Sequence, residues 1–204
     1  MTQSELKKAQ YDILNKEILE NSTKIYQVLN FCVTAVGALL VLGLGLDSTK
    51  VAFGKFFVPF VSLLPFAVIL PSIMLVESLV NSTARIASYL NVAYEKSLGG
   101  GWQTHVQLSR KADCPRRSFM GISSMFLVLA ILCLVSSVTS LIWVIQSERN
   151  VGSLFLGGYV AVVLLLMTAL FLLRARLGTT YHQDWFSQWE GMWIDVLNSA
   201  HPKI

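Results

Sequence analysis

Long apolar runs alternate with shorter polar segments along this chain of 204 residues. A membrane-spanning helix needs about 20 mostly apolar residues, because each residue adds about 1.5 Å towards a hydrocarbon layer about 30 Å thick. Parts of the first and last runs are apolar on every side, whereas a soluble bundle helix would keep one polar face. Four runs are long enough to span a membrane: residues 25–46, 57–80, 119–145 and 153–173.

The pattern predicts an all-α integral membrane protein whose four transmembrane helices form two hairpins. Composition agrees, since 54% of the residues are hydrophobic and 14% are charged, against about 25% charged residues in soluble domains. We expect five segments: a cytoplasmic N-terminal helix (1–24), a first transmembrane hairpin (25–80), a cytoplasmic helix and basic loop (81–117), a second transmembrane hairpin (118–176), and an amphipathic aromatic C-terminal helix (177–204).

Positive charge predicts the orientation. Lys50, Lys55 and Arg149 are the only basic residues in the two short connections, whereas the other thirteen of the sixteen flank the opposite ends of the spans. Because basic flanks stay inside, both termini and the middle loop should be cytoplasmic. The first 24 residues are polar, so we expect no signal peptide before the first span. With no cysteine predicted in an oxidising compartment, we expect no disulfide.

The terminal segments each allow two interpretations. Residues 3–24 should be helical and continuous with the first span, either as a solvated helix or as a cytoplasmic oligomerisation stalk. Gly178 and Thr179 predict the end of the fourth span's helix, and Thr180 with Gln183 has the spacing of a capping box for a new helix. Its tryptophan-rich stripe suits either the lipid head-group zone or packing against the cytoplasmic helix that follows the second span.

Polar positions in the second and third spans are candidates for a pore or vestibule. Pro65 and Pro71 should bend the second span, which then continues as an amphipathic helix to the glycines at 99–101. Its polar face either makes interfacial ion pairs, such as that of Glu77 with Arg85, Arg174 or Arg176, or lines an aqueous vestibule. The serines of the third span either pack helices closely or line a pore. The candidates are Glu77, Asn81, Ser88, Asn91, Glu95, Ser136, Ser137 and Ser140.

Basic residues near the cytoplasmic surface either fix topology or bind a phosphate-bearing ligand. Guanidinium groups match phosphate oxygens, and an indole can stack on a base. The candidates are Arg85, Trp102, His105, Arg110, Lys111, Arg116, Arg117, Arg174 and Arg176. No spacing of histidine, cysteine or carboxylate residues nominates a metal site or a catalytic pair, so we expect neither cofactor nor enzymatic activity.

The stretch RIASYLNVAYEKSLGGGW, from Arg85 to Trp102, precedes a basic loop and a second apolar hairpin. In this arrangement the chain resembles the small bacterial four-span membrane effectors of anti-phage defence, among them the channel effector of the Hailong system. The resemblance implies a homo-oligomeric ion channel in the bacterial inner membrane. It also implies control by a nucleotide or oligonucleotide that a partner nucleotidyltransferase makes. The expected partners are the lipid bilayer, further copies of the chain and that ligand; we do not expect duplex DNA.

Two other functions fit the same sequence. A structural or scaffold subunit needs only closely packed spans and an aromatic tail, and it would tolerate Glu77→Gln. A small transporter would require broken helices and a repeat, which two hairpins could provide only as an oligomer.

Overall fold

The structure is a computed structural model that describes residues 3–46, 57–95, 116–147, 152–180 and 189–196. All long elements in these ranges are helices, and no strand occurs among the described residues. The elements are α1 (Gln3–Leu46), α2 (Val58–Val61), α3 (Phe66–Leu90), a π-helical turn (Asn91–Glu95), α4 (Arg116–Ser147), α5 (Ser153–Thr180) and α6 (189–196).

The predicted all-α membrane fold is confirmed. Four helical stretches are long and apolar enough to cross a bilayer: Glu5–Gly43, Val58–Tyr94, Ile122–Gln146 and Ser153–Arg176. The first lies within α1, a single helix of 44 residues that joins the polar N-terminal segment to the first span without interruption, as expected. On its polar part, Lys16 and Glu20 form an i,i+4 ion pair with an N to O distance of 4.0 Å.

The chain divides into two compact units. Unit 1 contains the described residues within Met1–Gln27, Val76–Met120 and Leu177–Ile204, and unit 2 those within Val28–Leu75 and Gly121–Arg176. Unit 1 therefore collects the segments that the sequence assigns to the cytoplasm, and unit 2 collects most of the predicted spans. Which side of a membrane each unit faces stays a prediction.

The core of unit 2 is built around α3. Phe66, Ile69 and Ile73 on α3 are almost completely buried, together with Val36 on α1 and Phe126 on α4. Half of the most apolar window of the second span is buried within the protein, against 11% of that of the fourth. The second span is thus the central helix, whereas α5 leaves most of its apolar surface available to lipid or to another protein.

The second span is broken rather than bent at its start. Residues 62–65 form a turn between α2 and α3, whereas Pro71 lies inside the continuous helix α3. Pro65 has no N–H to donate, and the preceding N–H groups of Leu63 and Leu64 bond three residues back, to Phe60 O and Val61 O at 3.0 Å each. The disturbance expected at Pro65 therefore takes the form of a turn, and a bend at Pro71 stays a prediction.

One helix end differs from the expectation, and another lies outside the described residues. The continuation of the second span, which the sequence predicts to be cytoplasmic, changes from α-helix to π-helix at Asn91 and is described as far as Glu95. The fourth span's helix does not end at Gly178 but continues through Thr179 to Thr180, because helical hydrogen bonds can outweigh the low helix propensity of a single glycine. Gln183 and the glycine run lie outside the described residues.

Candidate vestibule and ligand site

Glu77 and Asn81 begin the predicted polar face on α3, one helical turn apart. Both side chains are half-buried. The Oδ1 atom of Asn81 is closed off from solvent and has no hydrogen-bond partner among the described residues. Within the same residues Glu77 has no ion pair, and the predicted pair with Arg85 is not formed, because that guanidinium lies over an indole instead. The described part of one copy therefore leaves this carboxylate and this amide oxygen unmatched.

Two further residues of the predicted polar face are buried within the protein. Ser88 is completely buried and Asn91 is 4% exposed. The Ser88 hydroxyl donates to Arg85 O at 2.9 Å, and the Asn91 amide donates to the Glu190 carboxylate on α6. Periodicity placed both residues beside Glu77, yet the packing partner of the helix changes along its length. We therefore restrict the proposed vestibule lining on α3 to Glu77 and Asn81; the side chain of Glu95 lies outside the described residues.

An aromatic cluster surrounds the π-helical turn in unit 1. It consists of Tyr11 on α1, Tyr89 on α3, Tyr94 in the turn, and Trp189 and Trp193 on α6. Tyr94 meets Tyr11 and Tyr89 edge to face, with ring centroids 5.9 and 6.0 Å apart, and Trp193 meets Tyr89 at 5.0 Å. The Tyr94 hydroxyl donates to Gln10 Oε1 at 2.9 Å.

This cluster decides between the two interpretations of the C-terminal tryptophans for the described part of the tail. Trp189 and Trp193 pack on the end of the second span's helix, the second of the two expectations. The tyrosines were not among the predicted site residues. The sequence nevertheless gave a sign that they pack against another element. Tyr89 and Tyr94 lie among small and polar residues, so an isolated amphipathic helix would expose both rings.

Arg85 is the predicted ligand-binding residue that the structure places most clearly. Its side chain is exposed, and its Cζ atom lies 5.9 Å from the ring centroid of Trp189. A guanidinium over an indole makes a cation–π interaction worth roughly 0.5–1 kcal/mol at exposed sites. The structure thus places one positive group beside Trp189 at the surface of unit 1.

The other basic candidates are only partly described. Arg174 is exposed, and its Nε donates to Ser123 Oγ on α4 at 3.0 Å. Arg176 is exposed and makes interactions of its own. Arg116 and Arg117 form the first residues of α4, but their side chains lie outside the described residues, as do Trp102, His105, Arg110 and Lys111 altogether.

The serines of the third span surround the break in the second. The Ser137 hydroxyl donates to Pro59 O at 2.7 Å, and its Oγ lies 2.8 Å from the hydroxyl oxygen of Tyr159. The Oγ atoms of Ser140 and Ser62 are 3.5 Å apart. Ser136 is half-buried, and its hydroxyl has no hydrogen-bond partner in the described part of the chain. Ser137 and Ser140 are thus engaged within the protein, as the helix-packing interpretation expects.

The pairing at Ser137 follows from the break itself. In a regular α-helix Pro59 O would accept the N–H of Leu63, which here bonds Phe60 O instead. The hydroxyl of Ser137 supplies the missing donor. Tyr159, the partner that sequence reasoning missed, has the phenolic hydroxyl of the fourth span, and its ring packs edge to face on Phe60 at 5.8 Å. Such satisfaction is obligatory for irregular backbone at membrane depth.

Among the described residues no three His, Cys, Asp or Glu side chains gather as metal ligands would. The polar groups among the described residues are the Glu77 carboxylate and the Asn81 amide on the central helix, the Arg85 guanidinium, and the buried hydroxyl network around Ser137. No protein-family model, curated protein or solved structure matches the chain.

Proposed function

We propose that this protein is a homo-oligomeric ion channel of the bacterial inner membrane, with both termini cytoplasmic. We further propose that it acts as an effector in anti-phage defence, gated by a cytoplasmic nucleotide or oligonucleotide from a partner nucleotidyltransferase. The resemblance of the Arg85 to Trp102 segment and its surroundings supplies the biological setting. The physical support comes from the central helix.

One observation carries the proposal: Glu77 and Asn81 share a face of the central span, and among the described residues of one copy the Glu77 carboxylate has no ion pair and the Asn81 Oδ1 has no hydrogen-bond partner. A carboxylate near the end of a span is costly against lipid, so it should face water or protein. Copies of α3 arranged about an axis would give the half-buried Glu77 carboxylate an aqueous vestibule. The exposed apolar surfaces of the other spans would then contact lipid and neighbouring copies.

Conduction would use the carboxylates as a ring. A monovalent cation 4 Å from one carboxylate in water gains about 1 kcal/mol, equivalent to about a fivefold rise in local occupancy. Several copies of Glu77 would add their fields, although salt screens them beyond about 8 Å at physiological ionic strength. The channel should therefore prefer cations, with Asn81 as a neutral polar group one turn further along the same face.

Gating requires that the ligand bind the open and closed states with different affinity. Arg85 follows Glu77 by eight residues on the same helix and has an exposed, oriented guanidinium. A phosphate group at that position would act on the helix that holds the vestibule residues. No movement through a separate domain is needed, because one rigid element joins both positions.

The proposal is tested by recording ionic current across planar bilayers that contain purified protein. We expect discrete cation currents from the wild type, and Glu77→Gln should lower cation selectivity by several fold. Glu17→Gln, which neutralises an exposed carboxylate on α1, is the matched control and should leave the current unchanged. Silence from folded, oligomeric protein under a range of nucleotides would favour the scaffold alternative.

A further inference from the structure

The guanidinium of Arg85 is oriented but has no carboxylate partner among the described residues. The Cζ atom lies 5.9 Å from the ring centroid of Trp189, and the N–H bonds of a guanidinium lie in its plane. Those donors match two oxygens of a phosphate in a bidentate arrangement. A lysine could supply the charge at this point but not the planar fork. The pair of Arg85 and Trp189 therefore has the form of an anion receptor.

The position of Trp189 depends on α6. That helix is held against α3 and the π-helical turn by two further contacts, the Tyr89 to Trp193 ring pair at 5.0 Å and the hydrogen bond from Asn91 to Glu190. The Glu190 carboxylate accepts from a buried amide and is thus occupied by a neutral donor. If α6 detached, Arg85 would lose the surface that fixes its orientation.

The location of Arg85 permits two sources of phosphate. It lies five residues beyond the predicted end of the second span at Val80, or about 7 to 8 Å further along a helix. That is within reach of lipid head groups and of soluble nucleotides alike. Both sources would present the same chemistry to the guanidinium, namely phosphate oxygens.

We propose that Arg85, oriented by Trp189, is a phosphate-binding site whose occupancy and the docking of α6 stabilise each other. This inference rests on the proposed function, for which it names the chemistry of the ligand and the element that responds. Because coupling between two equilibria is reciprocal, a phosphate that needs the docked α6 must also strengthen that docking. The C-terminal helix is then the part of unit 1 that changes between ligand-bound and ligand-free states.

The experiment measures amide hydrogen exchange in residues 189–196 of the full-length protein in phosphatidylcholine nanodiscs. Soluble tripolyphosphate is one probe, and phosphatidic acid included in the nanodiscs is the other. We expect one of them to slow exchange in wild-type α6. Arg85→Gln should weaken the response to that probe roughly tenfold, the worth of a charge-assisted hydrogen bond. Protection by tripolyphosphate assigns a soluble ligand, and protection by phosphatidic acid alone assigns a lipid.

A second variant separates the site from general basic charge. Trp193→Ala leaves Arg85 in place but removes the ring pair that holds α6, so it should weaken the same probe about fivefold or more. The controls are Lys24→Gln, which removes an exposed charge from α1, and Trp143→Ala, which removes from α4 an indole that is 40% exposed. Both should respond like the wild type.

The proposal is overturned if neither probe protects α6, or if protection survives Arg85→Gln or is lost equally in Lys24→Gln. It is overturned as well if folded Trp193→Ala protein binds the probe as the wild type does. None of these readouts depends on ion conduction. A silent bilayer recording with intact protection would therefore refute the channel and leave the phosphate site standing.

Discussion

Removing the hydroxyl of Ser137 should destabilise the protein more than any other single-atom deletion in the third span. Ser137 is completely buried and bonds both Pro59 O and the Tyr159 hydroxyl, at 2.7 and 2.8 Å. A hydroxyl has one proton, and that of Ser137 goes to the carbonyl. The proton between the two hydroxyls therefore comes from Tyr159, which fixes the direction of the chain of hydrogen bonds.

The loss of stability follows from the hydrogen-bonding groups that each substitution leaves without a partner. In Ser137→Ala the Pro59 carbonyl loses its donor and Tyr159 loses its acceptor, so the cost should be about 2 kcal/mol, from about 1 kcal/mol per buried hydrogen bond. Tyr159→Phe keeps the ring on Phe60 and leaves the bond to Pro59 O in place. It should cost about 0.6 kcal/mol, the average for interhelical hydrogen bonds in membranes.

The double variant makes the prediction sharper. Once Ser137 is alanine, the Tyr159 hydroxyl is a stranded donor, and its removal should cost nothing further. The double variant should thus be no less stable than Ser137→Ala alone, which gives a coupling energy of about 0.6 kcal/mol. Additive losses would show that the two hydroxyls do not interact.

The assay is reversible unfolding in mixed micelles titrated with dodecyl sulfate, which reports the free energy of unfolding. Ser136→Ala is the matched control, since this neighbour on the same helix has a hydroxyl without a partner. It should change stability by less than about 0.5 kcal/mol. If Ser137→Ala behaved like Ser136→Ala, the helix break would not be held by Ser137, and the reasoning about the freed Pro59 carbonyl would be wrong.

Two further predictions concern buried groups. Asn91→Leu should destabilise the protein by about 1–3 kcal/mol because it removes the buried amide that donates to the Glu190 carboxylate. Unfolding of this variant beside Asn91→Leu/Glu190→Gln, in which the carboxylate that lost this donor is neutral and part of the loss should be recovered, measures the effect. Cys32 and Cys133 are completely buried, so N-ethylmaleimide should label neither thiol in the folded protein and both after unfolding in dodecyl sulfate. Mass spectrometry of peptides measures the labelling. Fast labelling of either thiol in the folded state would contradict the helix packing around α3.

The hydropathy pattern was sufficient for the helices but not for their interruptions. Four apolar runs predict four spans because a bilayer demands both length and an apolar surface. Pro65 predicts a disturbance, since a missing N–H is a local property. The residue that donates to the free carbonyl of Pro59 is Ser137, 78 positions away, and no periodicity within one helix identifies it. Thr179 and Thr180 remain helical despite a preceding glycine for the same reason, because context outweighs local propensity.

The residues of the candidate site also differ in whether the sequence alone could identify them. Glu77 and Asn81 could be found from the sequence because a carboxylate beside a span is itself a signal. Ser88 lies between them on a helical projection, yet it is completely buried. Its burial comes from tertiary packing in unit 1, whose aromatic cluster unites residues from α1, α3 and α6. Such a cluster joins positions up to about 180 residues apart in the chain, so it requires a three-dimensional structure.

The most direct test of the central claim asks whether Glu77 faces a conducting water path. Glu77→Cys protein, with Cys114 replaced by serine, would be recorded in planar bilayers during addition of a charged methanethiosulfonate reagent. We predict rapid block of the current, similar block of Asn81→Cys, and no effect on Leu75→Cys, which is 49% exposed on the opposite side of the same helix. Current that persists through complete modification of residue 77 would contradict the proposal that this face of the second span lines the channel.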